Sequence, residues 1–222
     1  MRSFDWLWQH AQQHKSGENL EDLLPQCLTA EQLSAVPDDR LFSDLTRRVF
    51  RAGLKHSVVD GKWPAFEQAF FGFVPQKIIL MSDEQLENLM QNDQIIRHWG
   101  KIKAVRANAM MICDAAEKHG SFANFLAQWP QDDIIGLWQY LKKQGAQLGG
   151  NSGPYFLRMV GKDTFVLTDD VIAALKAQDI IEKKPTAQRD LKKVQEAFNE
   201  WHQQSGRPYC QISRLLAYTV GW

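Results

Sequence analysis

Apolar residues recur along this chain at spacings of three and four. From Leu41-Phe42 through Val49-Phe50 to Leu54 they form one such stripe, which predicts an amphipathic helix. Ser82 followed by Asp83-Glu84-Gln85-Leu86 has the composition of a capped helix start. Lys101 to His119 reads as a long helix with Ile102, Val105, Ala109 and Ile112 on one face. Gly120 ends it and Ser121 caps the next helix. Asp132–Gln144, a stretch from about Pro154 to Val160, Thr186–Gln204 and Tyr209–Val220 carry the same period. Alternation of period two is nearly absent. Thr164-Phe165-Val166-Leu167 is β-prone but short and isolated. The pattern predicts an all-α fold of roughly ten helices joined by brief Gly- or Pro-containing connections. Residues 1–40 give no pattern sharper than helix.

Composition narrows the functional classes. The 222 residues suffice for one large domain or two lobes sharing a cleft. The 26 basic residues balance the 26 acidic ones, so any attraction to phosphate must come from local clustering. Two basic clusters exist. One holds Arg47, Arg48, Arg51, Lys55 and His56; the other holds Arg97, His98, Lys101, Lys103 and Arg106. Each can be a solvated helix face or a DNA contact. Cys27, Cys113 and Cys210 are few, odd in number and widely spaced, which argues against a disulfide framework and for a reducing compartment. The N-terminus shows no signal-peptide run, and no stretch approaches the roughly 20 apolar residues of a membrane span. The expected location is the cytoplasm, with no membrane association.

Two segments carry candidate chemistry. Leu148-Gly149-Gly150-Asn151-Ser152-Gly153-Pro154-Tyr155 is a glycine-rich turn between two helices. Such a turn brings backbone close to a partner, and the helix after it presents unpaired N–H groups and positive dipole character to an anion. It reads either as a simple helix connection or as a hairpin gripping a DNA phosphate. Next, Lys162-Asp163-Thr164 leads to Thr168-Asp169-Asp170 at a new helix start. An Asp or Thr there can cap that helix, which would make the carboxylates structural. They can equally stabilise the positive charge that develops on a sugar when its bond to a base breaks.

These residues resemble the helix-hairpin-helix DNA glycosylase superfamily. Gly153-Pro154-Tyr155 through Lys162-Asp163 to Asp169-Asp170 is similar to the bacterial 3-methyladenine DNA glycosylase II pattern, in which the second Asp is catalytic; this implies Asp170. Trp201–Tyr209 and Leu215–Trp222 resemble the closing helix of that family. A longer resemblance, to the 3-methyladenine DNA glycosylase I family, rests on Leu41-Phe42, Arg51-Ala52-Gly53-Leu54, the run Ile95 to Ala104 and Asn108-Ala109. Together the two cover residues 40 to 222, with residues 1–40 poorly matched, and imply a single glycosylase domain over 1–222 with its core at 41–222.

The resemblance implies two helical lobes around a cleft and a monofunctional hydrolase that flips alkylated purines such as 3-methyladenine out of double-stranded DNA. It implies Asp170 and Asp169 as catalytic residues, with Arg48, Phe50, His56, Trp99 and Tyr155 around the base. It further implies Arg51, Gly53, Leu54, Lys101, Lys103, Gly149, Gly150, Asn151, Ser152 and Gly153 at the DNA. Leu54 reads as a wedge filling the gap of a flipped nucleotide, or as ordinary core. Tyr155 stands where lyase relatives carry a nucleophilic Lys, which implies no Schiff-base chemistry. Two departures stand out. Arg48 occupies the position of the base-recognising Glu, and His56 that of the pocket Trp. The zinc site of that family uses Cys and His near both chain ends, where only Cys210 is near an end here, so neither metal nor cofactor is expected. No obligate protein partner is evident. The rival expectation is an inactive or repurposed DNA-binding relative.

Overall fold

The structure is a computed structural model and describes residues 1–220; Gly221 and Trp222, at the end of the closing-helix resemblance, lie outside the described residues. Every regular element among the described residues is helical: fifteen α-helices and three short 3-10 turns. The all-α expectation holds. The added helices are short ones, such as Leu20–Leu23, Ala30–Ser34 and Pro75–Ile78. Elements of four or five residues complete barely one turn and leave no period to read. No helix among the described residues is long and apolar enough to cross a membrane.

The chain divides into two compact units. One comprises residues 29–129 and 137–162 and contains the hairpin. The other comprises residues 1–28, 130–136 and the chain from Asp163 onward.

In the hairpin unit, the Asp38–Arg51 helix turns Leu41, Phe42, Leu45, Val49 and Phe50 inward. They meet an aromatic stack in which Trp63 lies parallel to Phe73 at 5.4 Å and Phe50 meets Phe66 edge-on at 4.6 Å. Each fully buried Phe contributes about 1.5–3 kcal/mol relative to exposure. Asp38 also accepts the Phe122 and Ala123 amides at 2.9 Å, capping the Phe122–Gln128 helix from a distance. The long helix runs Trp99–His119. His98 Nδ1 caps its start by accepting the Lys101 amide at 3.3 Å, and Gly120 ends it at φ 83°. Ser121 then caps the following helix, as the sequence predicts.

The terminal unit packs Phe165 against Phe198, stacked at 4.0 Å, with Trp201 edge-on to Phe198 at 5.6 Å. The β-prone Thr164–Leu167 segment forms no strand. It is a buried connection, and the Val166 amide donates to Ser213 Oγ at 3.3 Å. Asp163 accepts the Tyr209 and Cys210 amides at 2.8 Å each, and so caps the Tyr209–Tyr218 helix.

Candidate functional site

The hairpin joins the Ile134–Gln144 helix to the Ser152–Met159 helix. Asn108, almost fully buried on the long helix, holds the turn from below. Its Oδ1 accepts the Ala146 amide at 2.7 Å, and its Nδ2 donates to the Ala146 carbonyl at 3.1 Å. Gly145 is fixed by closeness: a Cβ there would stand 2.7 Å from the Leu141 carbonyl and 3.0 Å from Asn108 Oδ1. Gly150, at φ 58°, takes the left-handed turn that a side chain disfavours. Leu148 anchors the loop in the core, while Gly149 and Gly150 form an exposed tip. Asn151 makes no side-chain cap to the following helix. Ser152 and Gly153 are buried beneath the tip. Of the five hairpin residues expected at DNA, the two tip glycines are therefore the open ones, and Gly153 serves close packing against the Leu148 carbonyl.

The basic clusters are less available than the sequence suggests. Lys101 is corrected from a DNA contact to a structural residue. It is 7 % exposed, and its Nζ donates to the Ala52 carbonyl at 2.6 Å and the Phe50 carbonyl at 3.2 Å. There it sits at the C-terminus of the Asp38–Arg51 helix, where a cation satisfies the last carbonyls. Burial, then the nearby charge of Arg48, holds its ammonium below the usual lysine range. Arg51 is paired with Asp60 at 2.7 Å, and Arg106 with Asp83 and the Met81 carbonyl. Lys55, Arg97 and Lys103 are exposed, and Lys103 leans over the Trp99 ring at 5.2 Å.

Around the turn after the Asp38–Arg51 helix, Gly53 stands at φ 77° and Leu54 is 41 % exposed, so the core reading of Leu54 is set aside. His56 is also exposed, at the start of the His56–Gly61 helix. Phe50 is corrected from a pocket wall to core: it is fully buried against Phe66. Arg48 is half-buried and lies over the Tyr155 ring at 4.7 Å, joining the Asp38–Arg51 helix to the hairpin helix. Its Nε is buried with no hydrogen-bond partner. Arg47 pairs with Asp44 at 3.6 Å, whereas Arg48 has no ion pair among the described residues. Burial pushes its guanidinium below the usual arginine range. A groove of about 390 Å³ elsewhere in this unit, between Met110, Met111 and Tyr140, includes none of the expected site residues.

In the terminal unit, Thr168 caps the Asp169–Ala177 helix, its Oγ1 accepting the Val171 amide at 3.3 Å. Of the Asp and Thr candidates for this cap, Thr168 takes it. Asp169 is exposed and Asp170 is half-buried in the first helical turn. The cap leaves both carboxylates in the first helical turn free of capping duty.

Cys27 and Cys210, far apart in the sequence, converge. Their thiols and an Asp163 carboxylate oxygen lie within 4.8 Å of one another. This trio is the kind of donor set that takes zinc, yet it is one ligand short of a closed tetrahedral site. Its carboxylate already holds the Tyr209 and Cys210 amides and the Gln131 side chain. The set does not fit a closed structural zinc site. Glu67 gathers a structural network that the sequence left unmarked. It accepts from Arg40 through both oxygens, from Ser43 at 2.6 Å and from Trp63 at 3.2 Å.

Residues 30–148 match the model of the family described as methyladenine glycosylase. DNA-3-methyladenine glycosylase 1 of Escherichia coli (strain K12) is 32% identical over 87 residues, 39% of this chain and 46% of that protein. The DNA-3-methyladenine glycosylase of Haemophilus influenzae is 34% identical over 88 residues, 39% of this chain and 47% of that protein. The chain thus spans about half the length of the curated relatives it matches. Among solved structures, 3-methyladenine DNA glycosylase I from Staphylococcus aureus superposes with a TM-score of 0.52 at 24% identity, covering 62% of this chain and 80% of that one. The 8-oxoguanine DNA glycosylase of Methanocaldococcus jannaschii superposes with a TM-score of 0.52 at 14% identity, over 96% of this chain and 92% of that one. These two likenesses concern the fold. With more than half of its residues under the family model, the chain belongs to the methyladenine glycosylase family.

Proposed function

We propose that this chain is a monofunctional DNA base-excision glycosylase acting on alkylated purines, the class for which its curated relatives are named. Its substrate is double-stranded DNA carrying such a base, and its place of action is the cytoplasm. The observation that carries the reading is Asp170: a half-buried carboxylate in a first helical turn whose capping duty has passed to Thr168.

Each residue has a defined task. The amides at the Gly149–Gly150 tip and the uncapped helix behind it hold a phosphate. Leu54, exposed on its turn, fills the gap left by the flipped nucleotide. When the bond from C1′ to the base breaks, its electron pair leaves with the base and C1′ becomes cationic. Asp170 stabilises that charge and accepts a proton as water adds to C1′. The products are an abasic sugar and the free base. Lys103 and Arg97 add charge to the DNA-facing surface, whereas Lys101 holds the turn in place.

The test is base release from alkylated duplex DNA by the wild type and by Asp170→Asn. The expected result is loss of release with duplex binding kept. A second reading, a DNA-binding relative without catalysis, is favoured by the cation at Arg48; it expects binding to abasic and intact duplexes with no base released by either protein.

A further inference from the structure

We infer that Arg48 and Tyr155 form the subsite that holds the departing base, and that this base is an uncharged alkylguanine whose O6 and N7 remain free. The inference rests on the glycosylase reading and names the substrate within it.

Three observations support it. Arg48 is unspent: its Nε, like that of Arg47, is buried without a partner, but among the described residues no carboxylate pairs with Arg48, while Arg47 and Arg51 both have acidic partners. A half-buried cation left without an anion is unfavourable in the folded chain, and such groups are found where a ligand completes them. The guanidinium also has a defined seat. The Tyr155 face lies 4.7 Å away and fixes it through a cation–π contact, which uses none of its N–H donors. Finally, the local field is positive. The charge of Arg48 helps hold the nearby Lys101 ammonium below the usual lysine range, and that ammonium donates to the Phe50 and Ala52 carbonyls.

A cationic methylpurine is repelled by such a wall. A guanine edge is not: O6 and N7 are two acceptors at the spacing of the arginine fork, the commonest arginine–base pairing. The chemistry agrees with the electrostatics. A cationic alkylpurine leaves as a neutral base and needs little help, whereas an uncharged one leaves with the electron pair of the C1′–N9 bond as an anion. Arg48 stabilises that charge as it develops. Water adds to C1′ with its proton taken by Asp170, the purine anion takes a proton from solvent and Asp170 returns its own to solvent, so the overall reaction is a simple hydrolysis.

The experiment compares two isomers in one duplex context, 1-methylguanine and 7-methylguanine. The first is uncharged with O6 and N7 open; the second is cationic with N7 blocked. Single-turnover release above the uncatalysed rate is measured for the wild type, Arg48→Gln, Arg48→Glu and Arg48→Lys, with circular dichroism to establish folding. The wild type is expected to release 1-methylguanine. Arg48→Gln slows that release roughly 10- to 100-fold, the worth of a charge-assisted hydrogen bond. Arg48→Lys recovers it in part, and Arg48→Glu shifts preference toward 7-methylguanine. Faster wild-type release of 7-methylguanine, with a ratio unmoved by the variants, overturns the inference and leaves the glycosylase reading intact. So does a uniform loss of binding to undamaged duplex in Arg48→Gln with a shallower salt dependence, which marks a phosphate contact. Release of neither isomer by a wild type that does release a base from methylated duplex DNA overturns this inference alone; release of no base from either substrate overturns the glycosylase reading and this inference with it.

Discussion

Asn108 holds Ala146 by both ends of its amide, accepting at 2.7 Å and donating at 3.1 Å. A single buried side chain on the long helix thereby fixes the backbone at the entry to the hairpin. Asn108→Ala leaves one amide and one carbonyl of the turn without partners. The expected cost is about 2 kcal/mol of stability, with two neutral hydrogen bonds lost. Thermal unfolding measures it. An unchanged midpoint means that the turn holds itself.

Glu67 gathers donors from Arg40, Ser43 and Trp63. Burial alone would raise its pKa, but the Arg40 and Ser43 hydrogen bonds and the Arg40 charge prevail, and its carboxyl titrates below the usual glutamate range. The folded state therefore favours the charged form. The contribution is fully present above the unfolded value of about 4.5 and is lost as pH falls through the lower folded value. Urea unfolding from pH 7 to pH 3 is expected to show a loss on the acid side that Glu67→Gln diminishes. The same acid slope in wild type and variant contradicts the assignment.

Leu54 tests the wedge. It is 41 % exposed on a turn, so Leu54→Ala should change stability by no more than about 0.5 kcal/mol. Base release should nevertheless slow, because the flipped state loses its filler. A large drop in melting temperature returns Leu54 to the core.

Tyr209 sits between burial and two acidic neighbours. Desolvation first, then the charges of Asp163 and Asp132, push its phenol up to about 12. The unfolded chain ionises near 10 while the folded chain stays protonated, so stability is fully present below 10 and declines as pH rises toward 12. Tyr209→Phe should flatten that alkaline decline, read by unfolding between pH 9 and pH 12.

What the sequence shows is whatever a few adjacent residues decide. Ser82, Gly120 and Ser121 mark helix ends because a cap needs only its own turn, and Gly150 marks the hairpin because its backbone angle excludes most side chains. Decisions made at long range stay hidden. Lys101 looks like a surface cation until the carbonyls of Phe50 and Ala52 close over it. Arg51 counts toward a basic cluster until Asp60 neutralises it. The four β-prone residues from Thr164 find no partner strand, and Ser213 takes part of their backbone bonding. Cys27 and Cys210 meet only because the terminal unit folds the ends of the sequence together. At Thr168-Asp169-Asp170, three residues can all cap, and composition alone does not choose among them. The structure gives the cap to Thr168.

That choice defines the measurement that matters most. Duplex DNA bearing a panel of alkylated purines, cationic and uncharged, is incubated with the wild type, Asp169→Asn and Asp170→Asn, and released bases are identified by mass spectrometry alongside duplex binding. The account predicts release by the wild type and by Asp169→Asn, and its loss in Asp170→Asn with binding retained. Full activity in Asp170→Asn, or loss in Asp169→Asn alone, contradicts it.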